Sequence, residues 1–278
     1  MEKRPIVEHM ISEYNLSQRA ACRVMDISRT SFSYQPDRRR DEPVIKALIQ
    51  LAAQKPTYGF GLMFDTLRRQ GKTWNHKRVY RIYKLLKLNL RRKSKKRLPS
   101  RHPKPLAVPA SMNQCWSIDF MSDALMDSRR FRTFNVADDY NREVLAIEVD
   151  FNLPAPRVIR VLDRIASMRG YPKRIRLDNG PEFISVILAD WAENNRVALD
   201  FIQPGKPTQN SFIERFNRTY RTEVLNLYIF HKLSEVKEIT NNWIKEYNEE
   251  RPHTALGRLT PKEYRLNKYA ENSNFNWY

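Results

Sequence analysis

Between residues 111 and 227 the apolar runs and helical periods follow an order that few folds accommodate. Three strand-like runs come first, at 116–120, 131–137 and 144–149, the first two joined through the polar stretch 126–130. A helical period over 156–169 follows, opened by Pro156 and ended by Gly170 and Pro172. Strand and helix then alternate: strand 174–177, helix 182–193, strand 197–202, and a long helix from Ser211 through Leu227. Three consecutive strands pair as antiparallel neighbours, and the alternating units after them add parallel strands. The order βββαβαβα therefore predicts a five-stranded mixed sheet with helices on its faces. A further helix over 233–246, the loop NEERPH and a capped segment at Thr260-Pro261 complete this part.

The chain before this region has a different character. Residues 1–105 hold 26 Lys and Arg against 8 Asp and Glu, whereas residues 106–278 hold 24 against 23. Nearly all of the net charge of +19 lies in the first third, which points to a polyanion-binding module joined to a domain with another task. Residues 5–35 read as short helix, tight turn and a segment rich in Ser, Thr and Arg, a helix-turn-helix pattern in which Arg29 opens the recognition helix. Helical periods over 43–54, 58–69 and 77–88 form a second unit. The outer face of its last helix carries Lys77, Arg78, Arg81, Lys84 and Lys87, cations of one sign that solubility alone does not require. The run RRKSKKR, with Arg91, Arg92 and Lys93, can track a phosphate backbone. Four prolines between Pro99 and Pro109 mark a stiff linker. The expected organisation is a helix-turn-helix unit at 1–37, a second helical DNA-binding unit at 38–97, a linker at 98–110, an α/β core at 111–270 and a tail at 271–278.

No apolar run approaches the ~20 residues of a membrane span, and the N-terminus has no long apolar stretch of a signal peptide, so a soluble cytoplasmic protein is expected. Cys22 and Cys115 are too few and too isolated for a disulfide framework or a zinc site and read as buried thiols.

Three acids sit where an α/β sheet gathers chemistry. Asp119 interrupts the apolar run WSIDF, where a carboxylate is costly unless paired or metal-bound. Asp178 ends the fourth strand, and Asn179-Gly180 make the turn after it. Glu214 lies on the first turn of the long helix, with 35 residues between it and Asp178. Phosphoryl transfer between DNA strands relies on two divalent ions held by carboxylate oxygens. Each acid also has a structural alternative: an arginine partner for Asp119, an Asx turn for Asp178, and a capping box with Ser211 for Glu214. Asp123 reads as past the strand end. Asp138, Asp139, Glu143 and Asp150 read as outer or surface acids. Glu214, Arg218 and Arg221 share a helix face, so the arginines either pair with Glu214 or stay free to grip DNA phosphates.

The stretches WSIDF, FRTFNVADDYNRE, RLDNGPEF and QPGKPTQNSFIERFNRTYRTEVL, with YNEERPHTALGRLTPKEY downstream, closely resemble second-frame (OrfB) transposases of bacterial insertion sequences of the IS-three group. The resemblance is strong over residues 105–270 and less specific over 5–97. It implies a ribonuclease-H-like core similar to that of retroviral integrases. It maps the family's acid triad onto Asp119, Asp178 and Glu214, and its following basic residue onto Arg221. It implies two Mg²⁺ or Mn²⁺ ions, cleavage of double-stranded DNA at element ends, and attack by a 3′-OH on another strand. It also implies oligomers on DNA and an upstream-frame (OrfA) partner or fusion. Ser128 departs from it by standing where a turn glycine is expected. A nuclease that cuts without joining, and a DNA-binding regulator with a silent core, are the competing readings.

Overall fold

A computed structural model of the chain describes residues 3–34, 38–90, 106, 108–180, 182–203 and 207–274. The run Arg91, Arg92, Lys93 and most of the proline-rich linker lie outside the described residues.

Three short helices come first: α1 (Lys3–Tyr14), α2 (Gln18–Val24) and α3 (Arg29–Ser33). Ser17 Oγ accepts from the Ala20 N–H and Ser28 Oγ from the Ser31 N–H, so a serine caps each of α2 and α3. Three further helices, α4 (Glu42–Gln54), α5 (Phe60–Arg69) and α6 (His76–Leu85), close around a separate core of Val44, Leu48, Met63, Leu67, Val79 and Ile82. Asn75 caps α6 as expected.

The rest of the chain is built on one sheet of five strands: β1 (Cys115–Ala124), β2 (Arg130–Asp138), β3 (Val144–Asp150), β4 (Arg174–Leu177) and β5 (Ala198–Phe201). Their spatial order is β3-β2-β1-β4-β5, with β1, β2 and β3 antiparallel and β4 and β5 parallel to β1. This is the mixed ribonuclease-H-like sheet expected. Trp116, Ile118, Phe134, Val136, Ile175 and Leu177 face a core shared with α7 (Ala155–Arg169) and α8 (Val186–Asn194). The opposite face, with Phe131, Ile147 and Val149, packs on α9 (Ser211–Tyr220) and α10 (Leu233–Glu249). The period-two pleat decides what this means for Asp119: its neighbours Ile118 and Phe120 turn to the first core, so Asp119 turns toward α9.

Three elements depart from the sequence expectation. β1 runs four residues beyond Phe120, so Asp123 lies within the strand opposite Phe131 rather than past its end. The polar pattern Met-Ser-Asp-Ala still alternates, and pairing with β2 extends it. The long helix ends at Tyr220 and continues as a π turn over Arg221–Leu225. α8 starts at Val186, where Ser185 caps it, rather than at Glu182.

Residue 128 occupies the left-handed region, at φ +68°, in the turn between β1 and β2. That is the position where a glycine was expected. Ser128→Gly is expected to stabilise the chain by roughly 0.5–1 kcal/mol in urea denaturation, because relief of the Cβ clash outweighs the added freedom of the unfolded chain. An unchanged or lowered midpoint would show that the turn holds serine without strain.

The second helical unit does not hang free. Lys55 bonds Glu246, Tyr58 Oη reaches Glu246 Oε1 at 3.4 Å, Arg69 forks onto Glu263 at 2.8 and 2.7 Å, and Arg258 pairs with Asp65 at 3.3 Å. These contacts hold it against α10 and α11 (Pro261–Asn274). Cys22 and Cys115 are both free and buried, as read. No helix among the described residues is long and apolar enough to cross a membrane.

Candidate active site

Asp119 lies half-buried on β1 directly opposite Asn135 of β2. Its Oδ1 accepts from the Phe120 N–H at 2.7 Å, and its Oδ2 accepts from Asn217 Nδ2 of α9 at 2.7 Å. Asn217 is held in turn, because Asn135 Nδ2 donates to its Oδ1 at 2.7 Å. Asn135 is fully buried, and its own Oδ1 has no partner among the described residues. An amide pair therefore fixes how one carboxylate is aimed. Sequence reading missed both amides, since an Asn in a polar helix carries no pattern of its own; only the strand register and the α9 contact expose them.

Burial pushes the Asp119 carboxyl up to about 6, the Phe120 N–H opposes this, and the charges of Asp178 and Glu214 add to the rise. The three acids thus act on one region from β1, the end of β4 and the first turn of α9. No Lys or Arg forms an ion pair with any of them among the described residues, so the arginine-partner alternative for Asp119 is not what the structure shows. The capping-box alternative for Glu214 is absent too: the N-cap is Asn210, it makes no side-chain cap bond, and Glu214 is exposed. The Asx turn at Asp178 is present, with Gly180 N–H donating to Oδ1 at 3.0 Å. It occupies one carboxylate oxygen. A Cβ on residue 180 would crowd that same oxygen at 3.0 Å, so a larger residue there would push the Asp178 carboxylate by a few tenths of an ångström. No three His, Cys, Asp or Glu side chains among the described residues are close enough, as they stand, to hold a metal ion.

The neighbouring charges sort themselves out differently from the sequence expectation. Arg221 is not free: Nη1 meets Asp123 at 3.2 Å and Nη2 donates to the Ser122 carbonyl at 2.8 Å, because the longer β1 brings Asp123 within reach. Arg218 is exposed and has no ion-pair partner among the described residues. Arg78 and Arg81 both bond Asp41, at 3.0 and 2.6 Å, rather than presenting an unpaired face. Lys77 and Arg29 are exposed. Asp138 and Asp139 are not surface acids but fully buried, Asp139 paired with Arg176 at 2.8 Å. Glu143 is buried between Arg169 and Arg265, and Asp150 pairs with Arg157.

Asn217 is expected to tune the pH response of Asp119. Its hydrogen bond favours the carboxylate, so Asn217→Ala raises the Asp119 pKa above about 6. Any cation binding that needs the ionised form then moves to higher pH. A divalent-ion titration followed by Tm across pH 5 to 8 measures this, and an unmoved acidic limb would sever Asn217 from Asp119.

The integrase core domain family matches residues 109–207 and 195–261, and an HTH-like domain family matches 37–96. An uncharacterized 31.7 kDa protein of insertion element IS407 from Burkholderia multivorans is 41% identical over 251 residues, covering 90% of this chain and 91% of that protein. Transposase InsD of insertion element IS2D from Escherichia coli is 27% identical over 239 residues, covering 81% and 78%. The catalytic core of HTLV-2 integrase in complex with magnesium aligns with 55% of this chain and 96% of that chain, at 17% identity and a TM-score of 0.42. A sheet of the expected topology, the helical unit before it and a near-full-length relative at this identity place the chain in the family of insertion-element transposases with an integrase core.

Proposed function

We propose that the chain cleaves DNA at the ends of its element and joins the freed 3′-OH to another strand, with Asp119, Asp178 and Glu214 as the acids of the reaction. The observation that carries this reading is the uncompensated charge at Asp119, a half-buried carboxylate raised by burial and by two further acids, with no cation paired to it among the described residues. Oxygen donors alone suit a hard divalent ion, so the donor types of the three acids fit Mg²⁺ or Mn²⁺ once their side chains are drawn together, which among the described residues they are not. When bound, the ions activate the attacking hydroxyl and stabilise the leaving oxygen. Asn217 orients Asp119 and Gly180 leaves room for the Asp178 carboxylate. Arg218, exposed one turn beyond Glu214, is placed to hold a DNA phosphate. Arg221 instead ties the start of the π turn to β1 and supports the site from its side. Exposed Arg29 and Lys77, with Arg78 and Arg81 once released from Asp41, are the proposed phosphate contacts of the helical units, and the run at Arg91, Arg92 and Lys93 extends them. Function as an oligomer on DNA, with an upstream-frame protein, belongs to the same reading.

The test uses labelled element-end duplex with Mg²⁺, the chain alone or with its upstream partner. Joined products are expected. Cleavage without joining would make the chain a nuclease, and binding without either would make it a regulator.

A further inference from the structure

A cavity of about 270 Å³ lies beside the acids but includes none of them. It is walled by Arg142 in the turn after β2, by Phe212 and Arg215 of α9, and by Tyr247, Arg251 and His253 at the end of α10. On α9 the cavity takes the face of Phe212, Arg215, Phe216 and Thr219, at i, i+3, i+4 and i+7, while Glu214 and Asn217 belong to the neighbouring face. A single helix width, on the order of 10 Å, therefore separates cavity and acids, roughly three nucleotide steps of ~3.4 Å each.

The cavity's charges do not cancel. Asp139 is committed to Arg176 and to Ser117 Oγ, and Asp138 to the N–H groups of Asn113 and Tyr140. Arg251 is committed to Glu223. The Arg142 guanidinium donates to the Asp139 carbonyl, and the Arg215 guanidinium has no hydrogen bond or ion pair among the described residues. Two guanidiniums thus face the cavity with no carboxylate in ion-pair contact among the described residues, while the buried Asp138 and Asp139 in its wall attract Arg142. The Arg142 guanidinium carbon lies over the Phe212 ring, 3.4 Å from its centroid, on a backbone with φ +61°, a strained conformation for arginine. His253 Nε2 is buried with no hydrogen-bond partner among the described residues. Burial and the Arg251 charge hold that ring neutral, so it keeps one donor and one acceptor nitrogen, and a buried one is left unsatisfied. Paired cations, a stacking platform and an unsatisfied imidazole nitrogen together suit a group that is anionic at one end and flat and hydrogen-bonding at the other.

We propose that this cavity is a subsite for one unpaired nucleotide of the DNA substrate, its phosphate on Arg142 and Arg215 and its base between the aromatic wall and His253. The proposal rests on the strand-transfer reading above and places a splayed nucleotide a few steps from the bond that is cut. Stacking of one base is sequence-tolerant and strong enough to be read directly in affinity.

The full chain is titrated, in EDTA and ~100 mM salt, onto labelled 30-base-pair duplexes that are either blunt or carry three unpaired nucleotides at one end, with anisotropy as readout. The frayed duplex is expected to bind about ten-fold more tightly, on the scale of one stacked base. Arg215→Ala, at an exposed position, and Ala255→Trp, which fills the cavity from its rim, are each expected to abolish that preference while moving blunt-duplex affinity by less than about two-fold. Equal binding of both duplexes by the unsubstituted chain, or a preference surviving in both variants, overturns the subsite and leaves strand transfer standing if joining persists. Failure to bind either duplex, alone and with the upstream partner, overturns both readings.

Discussion

Asp119→Asn is expected to lower strand joining by about 10³-fold or more, the scale of removing one electrostatic stabiliser from a phosphoryl-transfer site. The amide keeps the shape of the side chain, but its single oxygen can accept from the Phe120 N–H or from Asn217 Nδ2, not from both. What it loses is the charge and one acceptor. Duplex binding, carried by the cations elsewhere, is expected to stay within about two-fold. The informative companion measurement is stability without metal. The Asp119 carboxyl is raised to about 6 by burial, so its contribution to stability is full below the ordinary value near 3.8 and is lost as pH rises through 6. Removing the ionised group should therefore raise Tm at pH 7 and change nothing at pH 3.5. A residue kept only for the fold would do the reverse. Full joining activity in Asp119→Asn would remove this acid from the reaction, and Asp178→Asn and Glu214→Gln test the other two by the same readout.

Arg176→Met should cost 3–5 kcal/mol at pH 7, the largest stability effect expected for a single surface-distant polar change in the core. Arg176 is buried, and its Nη1 lies 2.8 Å from Asp139 Oδ2, with Nε toward Asp200 at 3.4 Å. Asp139 is itself 1% exposed and is left with the Ser117 hydroxyl and the Cys115 thiol, both uncharged donors, once the arginine is gone. Burial already raises the Asp139 carboxyl, and the loss of Arg176 raises it further. The sign follows: the stability deficit is absent below the ordinary value of 3.8 and opens as pH climbs through the raised folded value. Arg176→Met with Asp139→Asn should recover a large part of the loss, because no charge remains buried. Urea denaturation at pH 4 and pH 7 checks both statements, and an equal deficit at the two pH values would contradict the ion-pair account.

The order of strands and helices was legible because period-two and period-3.6 patterns are local properties of the chain. The acids stood out for the same reason: Asp119 breaks an apolar run, and Asp178 ends one. What escaped the sequence was everything that depends on two elements meeting. The Asn135–Asn217 pair needs the β1–β2 register and the docking of α9 at once. The Asp139–Arg176 pair spans the end of β2 and the middle of β4, and from sequence alone Asp139 looked like an outer acid. Helix spacing allowed Arg221 to pair with Glu214 or to stay free for phosphates; neither reading reached Asp123, which the four further residues of β1 bring within reach. The capping box failed in the opposite way, as a local pattern that the tertiary arrangement does not use.

The contacts that seat the second helical unit on α10 and α11 carry one more consequence. Lys55 and Arg69 join it to Glu246 and Glu263, and Arg258 before α11 reaches back to its Asp65, all through part-exposed pairs that contribute about 0–1 kcal/mol each. Their geometry sets the offset between the helical unit and the acids, so the length of the connecting chain does not. Their weakness makes the seat a latch: screened by salt and open to competition from phosphates, it lets a DNA end trade places with three glutamates and aspartates that already hold the same cations.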